Sequence, residues 1–493
     1  MPTPRITTRA GHRTPLELLH PDAAPAGVLV IGNACPSTLL PQQRLADTGT
    51  VDLVSLWPDA AECDDPGWLS AALEVLVHSL DEDGFAHVLV PRRWRGRARS
   101  LLRSYGFALG STLLHLPDRH ATWHLVSANR HPVAHALSNL MVTHPWKRRA
   151  AVAMISVPGS SRILGRMLAG ASFVASRQAG TGVVDWLSRG PAAADLVGGI
   201  SLSVRRRGGA AIAHGFAASG RPVVVAKVGL DDASREARRR ELSLLRRLAP
   251  DARGAGADVP SVLHVESLGT AEIVLETVVT GQTASTLLAA NVQRLPHVVR
   301  AVADWLARWH DLTGTRVPFD AAVAARIIRS ARFLEPLIPG GERYAACLER
   351  RVAALADEQI PLVAVHGDLT MMNVLLQNHR IGIVDWEAAE ERGLPLVDFF
   401  YMVTDAVAAC SRYADRTAAF HAVFTRDGPY TRLVTELRAR MLESLDISTR
   451  MADVCFHACW LHHAEQEQRS TSPFRRGAFL KIVQAVAEEG ARA

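Results

Sequence analysis

Cysteine is scarce in this sequence, and the few that occur are scattered. The 493 residues contain six cysteines: Cys35, Cys63, Cys347, Cys410, Cys455 and Cys459. A disulfide framework in a chain of this size would need more cysteines at closer spacing. These six are therefore expected to be reduced residues that pack in a core.

Long apolar runs are also lacking. The longest uncharged stretches are interrupted by arginines, and the amino-terminal residues, which include Arg5 and Arg9, are followed by no apolar region. The sequence therefore predicts neither a secretory signal nor a transmembrane helix, and a cytoplasmic protein is expected.

Charge of one sign is not in large excess. Lys and Arg total 55 and Asp and Glu total 49, which gives a net charge of +6 at pH 7. Nucleic-acid and membrane partners require a concentrated basic patch, so no nucleic-acid partner is expected. With 48% hydrophobic and 21% charged residues, the chain is expected to fold into roughly two to four compact domains.

The first part of the chain alternates short β-rich runs with helical ones. Helices are expected from Trp68 to Leu80, where leucines recur at helical spacing, and from Arg95 to Tyr105. Strands are expected at 28–31, 52–57, 86–91, 111–116 and 122–128. This α/β order predicts a Rossmann-like domain over residues 1–135.

The same order of elements resembles the second half of a class I methyltransferase fold. A cofactor-binding member of that class has a Gly-rich turn after its first strand and an acidic residue at the end of its second. The turn in this sequence reads Gly32-Asn33-Ala34-Cys35-Pro36, and a proline hinders the close backbone approach that glycines permit. The resemblance therefore implies a degenerate domain that transfers no methyl group.

Residues 136–194 differ in character from the segments on either side. Helical runs are expected around Val133 to Val142 and Arg162 to Ser176, so this segment is predicted to be a helical linker. The basic cluster from Trp146 to Arg149 would also suit an amphipathic helix on an anionic surface. Pro158 interrupts the apolar segment and favours the linker.

From residue 195 the pattern predicts two lobes. The first has strands expected at 200–204, 211–216, 223–228, 261–268 and 272–279, with a helix at 233–248. Beyond Gly281 the chain reads as mostly helical. The sequence therefore predicts an α+β small lobe over 195–280 and a helical large lobe over 281–493.

The strongest signal for chemistry lies between Val363 and Val403. An apolar run leads into His366-Gly367-Asp368, Asn373 follows, and the next β-rich run ends in Asp385. Phosphoryl transfer needs a carboxylate that orients and deprotonates the attacking hydroxyl. It also needs oxygen ligands for Mg²⁺, which an amide and a second carboxylate supply.

This segment resembles the catalytic part of the aminoglycoside phosphotransferase and choline kinase family, which has a bilobal protein-kinase-like fold. The resemblance rests on the His-Gly-Asp element, the Asn, the strand-borne Asp-Trp-Glu and the Gly-Leu-Pro with an aspartate that follow. It implies that Asp368 is the catalytic base, that Asn373 and Asp385 bind the metal, and that ATP and Mg²⁺ are the cofactors. It also implies that His366 and Asp398 have structural roles in support of the catalytic loop.

The kinase-like interpretation requires a strand lysine paired with a helix glutamate, which together grip the α- and β-phosphates. Lys227 lies near the end of an apolar strand, where an unpaired ammonium is unfavourable. Glu241 shares a helix face with three leucines and is predicted to be its partner, with Glu236 as the alternative. The arginines of this helix are expected to face outward, namely Arg238, Arg239, Arg246 and Arg247.

Further parts of a nucleotide site are implied by the resemblance. Backbone amides near Gly208 and Gly209 are expected to approach the phosphates in place of a GxGxxG loop. Glu276 and Val278 occupy the hinge position, where backbone groups would bind adenine. Three residues of the first large-lobe helix are expected in the core or at the substrate rim: Trp305, Trp309 and His310.

A cluster of cysteines and histidines near the carboxyl end suggests a zinc site, but its spacing is unsuitable. His457 and Cys459 are two residues apart on an expected helix, so they cannot face one ion together. The sequence instead predicts a helix whose stripe of Cys455, Cys459 and His462 packs into the large lobe.

The sequence as a whole predicts an ATP- and Mg²⁺-dependent phosphotransferase. The expected acceptor is a hydroxyl of a small metabolite, such as a sugar, an aminocyclitol or an amino alcohol. A kinase that acts on Ser or Thr of a peptide and an inactive scaffold are the alternatives. The scaffold is disfavoured because Lys227, Glu241, Asp368, Asn373 and Asp385 are all present. The large-lobe helices select the acceptor, so the resemblance does not identify it.

Overall fold

The structure of the chain is a computed structural model, and it divides into two compact units. Unit 1 comprises Met1–Arg240 and Val262–Val278, and unit 2 comprises Glu241–Ser261 and Val279–Ala493. The structure describes residues 5–8, 27–32, 51–65, 67–110, 112–116, 122–127, 130–139, 170–177, 183, 186–187, 199–205, 210–269, 271–319, 321–356, 358–424, 428–469 and 477–490.

Unit 1 is built on one mixed β-sheet. Its strands are β1 (Arg5–Thr8), β2 (Gly27–Ile31), β3 (Val51–Leu56), β4 (Leu80–Val90), β5 (Ala108–Leu109), β6 (Leu113–Leu116), β7 (Thr122–Ser127), β8 (Gly170–Ser176), β9 (Gly199–Arg205), β10 (Ala210–Phe216), β11 (Pro222–Gly229), β13 (Val262–Leu268) and β14 (Ala271–Thr277). The strand order is β1-β2-β3-β4-β8-β6-β7-β9-β10-β11-β14-β13, with β5 paired to β8. Strands β2, β3 and β4 run parallel, as the α/β order of the sequence predicts.

Both faces of the amino-terminal part of this sheet are buried, and each face packs in its own apolar cluster. Among the described residues, the helices that lie wholly in unit 1 are α1 (Ala60–Asp64), α2 (Trp68–Ser79), α3 (Arg95–Ser104) and α4 (Arg130–Asn139). The leucine stripe expected on α2 is confirmed, because its three helical leucines are each at most 1% exposed. Along β3, Leu53 packs in one apolar cluster while Val54 and Leu56 pack in another, as the alternation of a strand requires.

The strands assigned from the sequence to two separate domains share this one sheet. Residues 122–126 of β7 pair antiparallel with residues 201–205 of β9. The amino-terminal strands are thereby continuous with the strands of the predicted small lobe. The pattern of apolar residues in a strand indicates which of its faces is buried but not which strand lies beside it. The continuity of the sheet is therefore visible only in the tertiary structure.

The prediction of a helix over Arg162 to Ser176 is wrong for residues 170–176. The prediction that residues 136–194 form a wholly helical linker is therefore wrong as well. Gly170–Ser176 form β8, which pairs antiparallel with β4 on one side and β6 on the other. Phe173 and Ala175 enter one apolar cluster and Val174 the opposite one. A short apolar run fits a helix or a strand, and the neighbouring strands decide between them. The basic cluster at 146–149 lies outside the described residues.

Unit 2 is mainly helical and carries two small sheets. Helix α5 (Asp232–Gly254) begins in unit 1 and continues into unit 2. The other helices are α6 (Ala284–Ala290), α7 (Leu295–Thr313), α8 (Ala321–Leu334), α9 (Gly341–Ala353), α10 (Val397–Cys410), α11 (Arg416–Phe424), α12 (Thr431–Leu445), α13 (Thr449–Arg469) and α14 (Ala478–Gly490). The strands are β12 (Ala257–Asp258), β15 (Gln282–Thr283), β16 (Thr315–Pro318), β17 (Gln359–Val365), β18 (Val374–Gln377), β19 (Arg380–Ile383) and β20 (Glu390–Gly393). Their sheets have the orders β12-β19-β18-β15 and β16-β17-β20.

No helix in the part of the chain that the structure describes is long and apolar enough to cross a membrane.

Three tryptophans form part of the core of unit 2. Trp305 and Trp309 of α7 stack with ring centroids 4.9 Å apart, and Trp386 meets Trp309 edge-on at 5.6 Å. The adjacent His310 is fully buried, and this burial lowers its pKa to about 3. Of the two expected positions for Trp305, Trp309 and His310, the structure thus selects the core.

The carboxyl-terminal stripe packs as expected at its two cysteines, whereas His462 is only half-buried. Cys455 and Cys459 of α13 are buried, and burial raises the pKa of both thiols. His457, also buried, lies with its Nδ1 2.9 Å from the hydroxyl of Tyr344. The cluster therefore belongs to the packing between α13 and the rest of unit 2.

Candidate active site

The catalytic-loop candidate follows directly from β17. The apolar run Ile360 to Val365 is buried, so it fixes where the next residues emerge. Gly367 has φ of +77°, and a Cβ at this position would lie 2.3 Å from the carbonyl oxygen of Ala388. The turn between His366 and Asp368 therefore requires glycine.

Asp398, at the start of α10, binds the backbone of this turn. Its Oδ2 accepts the N–H of His366 at 2.6 Å and its Oδ1 accepts the N–H of Gly367 at 2.9 Å. The carboxyl is fully buried, which raises its pKa to about 6, although the two N–H donors act in the opposite direction. Asp398 thus holds the segment that presents Asp368.

Hydrogen bonds within the loop bring Asn373 against Asp368. Nδ2 of Asn373 donates to the backbone oxygen of Asp368 at 2.9 Å and lies 3.4 Å from its Oδ2. A carbonyl oxygen only accepts, so the amide nitrogen must face it. These two contacts involve the amide nitrogen of Asn373 and not its side-chain oxygen.

The register of one hairpin places Asp385 beside Asn373. Val374 of β18 pairs with Ile383 of β19, and the N–H of Val384 donates to the oxygen of Asn373 at 3.0 Å. Asp385 is the next residue, in a left-handed conformation with φ of +68°. An amide and a carboxylate thus lie at the same end of the hairpin, and both provide the oxygen ligands that Mg²⁺ prefers.

His366 joins the catalytic loop to the segment that carries Asp385. It is buried, and its Nε2 lies 3.0 Å from the oxygen of Val384. Because that oxygen only accepts, Nε2 carries the proton of this hydrogen bond. Its ring also lies 5.2 Å from that of Trp386. These contacts join two backbone segments of the candidate site, and the structural role of His366 stays a prediction.

The two residues expected to form the lysine–glutamate pair each have a partner within their own unit, and the pair itself stays a prediction. In unit 1, Nζ of Lys227 lies 3.3 Å from Oε2 of Glu276, and both side chains are buried. In unit 2, Oε1 of the buried Glu241 accepts the N–H of Trp386 at 3.2 Å. Glu241 therefore binds the Asp-Trp-Glu segment directly, a contact that the sequence did not predict.

The remaining nucleotide-site candidates differ in how the structure places them. Glu276 still lies within β14, where it pairs with Val225 and Val262, whereas Val278 follows the end of that strand. Gly208 and Gly209 lie outside the described residues.

The glutamates and arginines of α5 differ in exposure. Glu236, the alternative to Glu241, is exposed, which agrees with the apolar stripe that favours Glu241. Arg239, Arg246 and Arg247 are exposed as expected. Arg238 is only 6% exposed, so the expectation that it faces outward is wrong.

Four polar side chains near Asp368 were missed in the sequence: Tyr401, Asp405, Tyr413 and Arg416. Oδ2 of Asp405 accepts the N–H of Met371 in the catalytic loop at 2.6 Å and lies 3.1 Å from the Tyr413 hydroxyl. Arg416 lies 3.0 Å from Oδ1 of Asp405, and the Tyr401 hydroxyl lies 3.3 Å from Oδ1 of Asp368. One signal was available, since Asp405 is a lone carboxylate two helical turns after Asp398 on an apolar helix.

Comparisons with known proteins agree with the family resemblance. Residues 217–432 match the family model described as "Phosphotransferase enzyme family" (APH), and this match confirms the resemblance found in the sequence. No curated protein matches the chain.

Several solved structures are similar to the chain at low identity. A choline/ethanolamine kinase family protein from Mesorhizobium loti is 18% identical, with 62% of this chain and 93% of that chain covered and a TM-score of 0.36. Aminoglycoside phosphotransferase APH(3'')-Id from Streptomyces rimosus is 20% identical, with 52% and 90% covered and a TM-score of 0.32. A thermostable mutant of aminoglycoside phosphotransferase APH(4)-Ia is 17% identical, with 57% and 90% covered and a TM-score of 0.37.

Proposed function

Because residues 217–432 match the phosphotransferase family, we propose that this chain transfers the γ-phosphate of ATP to a hydroxyl group of a small metabolite. The class of acceptor that we propose includes sugars, aminocyclitols and amino alcohols. The observation that carries the proposal is the grouping of Asp368, Asn373 and Asp385. A hydrogen bond within the loop joins Asp368 to Asn373, and the register of the β18–β19 hairpin places Asp385 beside Asn373. These are the kinds of group that phosphoryl transfer needs.

Asp368 is the proposed general base. Its carboxylate is partly exposed, while the backbone that carries it is held by Asp398 from one side and by Asp405 from the other. A carboxylate on a fixed backbone can accept the proton of the acceptor hydroxyl as that oxygen bonds to phosphorus. As this bond forms, the bond between the γ-phosphorus and the ADP oxygen breaks, ADP leaves, and the proton stays on Asp368.

Asn373 and Asp385 are the proposed ligands of Mg²⁺. The amide nitrogen of Asn373 is used within the loop, which directs its side-chain oxygen to the metal. When bound, Mg²⁺ would neutralise charge on the phosphates. His366 and Glu241 hold the backbone on either side of Asp385, at Val384 and Trp386, and so fix the position of its carboxylate.

Lys227 and Val278 remain the proposed nucleotide contacts that the family resemblance implies. Lys227 is assigned to the phosphates, and its buried ammonium is paired with the carboxylate of Glu276. The backbone of Val278, just beyond β14, is the better of the two hinge candidates for adenine, because Glu276 is still paired within the sheet.

The test is the release of ADP from Mg²⁺-ATP in the presence of sugars, aminocyclitols, amino alcohols and peptides. Asp368→Ala is expected to lower kcat by on the order of 100-fold or more for the best acceptor, because a positioned proton acceptor is lost. Its affinity for Mg²⁺-ATP, measured by calorimetry, is expected to stay within about threefold, since the base contacts the acceptor.

Asp311→Ala is the matched control, since this carboxylate is exposed on α7. It should retain wild-type turnover. Near-normal turnover of Asp368→Ala at saturating acceptor would remove Asp368 from its role. Activity on peptides alone would reject the small-metabolite acceptor.

A further inference from the structure

Tyr401 is a buried phenol aimed at the proposed base. It lies on α10 one helical turn after Asp398, and it is 5% exposed. Its hydroxyl donates to Oδ1 of Asp368 at 3.3 Å. Burial, together with the nearby charge of Asp368, raises the pKa of Tyr401 well above its usual value, so the phenol keeps its proton and remains a donor.

The chemistry of the two groups fixes the direction of this hydrogen bond. An ionised carboxylate only accepts, so the phenol of Tyr401 is the donor. Arg416 pairs with the carboxylate of Asp405 at 3.0 Å.

The ring of Tyr401 and the guanidinium of Arg416 are both held by packing. His463 of α13 stacks on Tyr401 with ring centroids 3.7 Å apart. The Arg416 guanidinium lies over the rings of Tyr413 and Phe479, at 5.0 Å and 5.3 Å from their centroids. Because the ring of Tyr401 is held by stacking, its hydroxyl loses little freedom when it binds the Asp368 carboxylate.

We infer that Tyr401 is a positioning residue for the proposed base, and that its hydroxyl sets the orientation of the Asp368 carboxylate. This inference rests on the proposed function for its kinetic consequence, but the hydrogen bond itself can be tested without turnover. Asp405, which pairs with Arg416, holds Met371 of the catalytic loop. The backbone of the loop and the side chain of the base thus each have a buried polar residue of α10 as a partner.

The test compares Tyr401→Phe with Tyr344→Phe, using the full chain. Tyr344 is the matched control because it is also buried, at 7% exposed, and its hydroxyl also makes one hydrogen bond, to His457. We expect Tyr401→Phe to lower kcat by about tenfold, the loss of one hydrogen bond to a charged group, while KM for ATP and for the acceptor stays within about twofold. Tyr344→Phe should leave kcat at the wild-type value.

The second measurement needs no acceptor. The protein is labelled with ¹³C at the aspartate carboxyls and titrated by NMR. The Asp368 signal is assigned as the one that disappears in Asp368→Asn. We expect its pH midpoint to move upward by roughly half a unit or more in Tyr401→Phe, because a donor to the ionised form is lost, and to stay in place in Tyr344→Phe.

The outcomes separate the two proposals. A kcat of Tyr401→Phe within twofold of wild type, or an equal rise in acceptor KM, would overturn the positioning role, as would an unmoved Asp368 signal. If the wild-type chain released no ADP with any acceptor, the proposed function would fail, while the carboxyl signal would still decide whether Tyr401 holds Asp368.

Discussion

At the scale of single residues, the candidate site depends on carboxylates that differ in burial and therefore in role. Asp385 and Asp368 are partly exposed and can meet a ligand, whereas Asp398 and Asp405 are buried and bind backbone N–H groups. The exposed pair is suited to metal and proton chemistry, and the buried pair to support.

Asp385→Asn tests the metal assignment. The substitution keeps the shape of the side chain but removes the charge that attracts Mg²⁺, so the Mg²⁺ concentration for half-maximal turnover is expected to rise about tenfold or more. The measurement is a Mg²⁺ titration of turnover at fixed ATP. Glu443→Gln, an exposed carboxylate on α12, should leave the titration curve unchanged. An unchanged curve for Asp385→Asn would show that Asp385 is not a metal ligand.

The pKa of Asp398 is raised to about 6 from its usual value of 3.8. We therefore expect the stability of the chain to depend on pH, and the direction of this dependence follows from the raised pKa. The folded state binds this proton more tightly than the unfolded chain does. The stabilisation that this group contributes is therefore fully present below about pH 4 and is lost as pH rises through about 6. A shift of this size corresponds to about 3 kcal/mol.

The measurement is the free energy of unfolding by urea from pH 4 to pH 7. Relative to Asp398→Asn, the wild-type chain is expected to lose stability as pH rises across this range, because only the wild type has a carboxyl to ionise. Asp311→Asn should follow the wild-type curve. Parallel curves for wild type and Asp398→Asn would mean that the Asp398 carboxyl has an ordinary pKa.

At the scale of elements, the order and register of strands decide where side chains meet. The β18–β19 hairpin is short and local, so its register brings Asn373 and Asp385 together within a few residues of each other in the fold. Strand β8 is the opposite case, since it pairs with β4, about 85 residues earlier in the chain. Its apolar residues therefore gain their environment only from distant segments.

Phe173→Ala tests the place of β8 in the sheet. Phe173 is 1% exposed and packs in the cluster with α2 and α3, so the substitution is expected to lower the free energy of unfolding by roughly 3–5 kcal/mol, the range for an aromatic lost from a core. Urea unfolding measures this. Tyr105→Ala is the control in the same unit, because Tyr105 is 46% exposed, and its effect should stay below about 1 kcal/mol. Equal effects of the two substitutions would place β8 outside the core.

At the scale of the whole molecule, the amino-terminal strands share a sheet with the strands that carry Lys227, which raises the question of what they bind. Gly32, after β2, has φ of +103°, and a Cβ there would lie 2.2 Å from the backbone oxygen of Trp57. The position that a side chain would occupy at Gly32 is therefore filled by the backbone that follows β3. The nearby Asp59 caps α1, where it accepts the N–H of Glu62 at 2.8 Å. These contacts are in keeping with the expectation that this part of the chain lacks the cofactor site of a methyltransferase.

We accordingly expect the full chain not to bind S-adenosylmethionine. Calorimetry should show no affinity tighter than about 100 μM, roughly −5.5 kcal/mol, in a preparation that binds Mg²⁺-ATP. Mg²⁺-ATP is the control for a folded, competent sample. Tighter binding of S-adenosylmethionine would contradict the prediction that this domain transfers no methyl group.

The sequence by itself determined the parts of the site that are close together in the chain. Asp368, Asn373 and Asp385 are joined by one loop and one hairpin, and their spacing follows from local hydrogen bonds that a linear pattern can express. Most of the strands and helices around them were predictable for the same reason, since the period of apolar residues reflects each element's own buried face.

Only the tertiary structure decided which distant residues meet. Tyr401 lies 33 positions after Asp368, Glu241 lies 145 positions before Trp386, and Glu276 pairs with Lys227 across two strands. Such contacts depend on how helices and strands pack, and the apolar pattern of each element is compatible with many partners. A polar residue on an apolar helix signals that some partner exists, because an unpaired buried charge is unfavourable. Which partner it is follows from the packing alone.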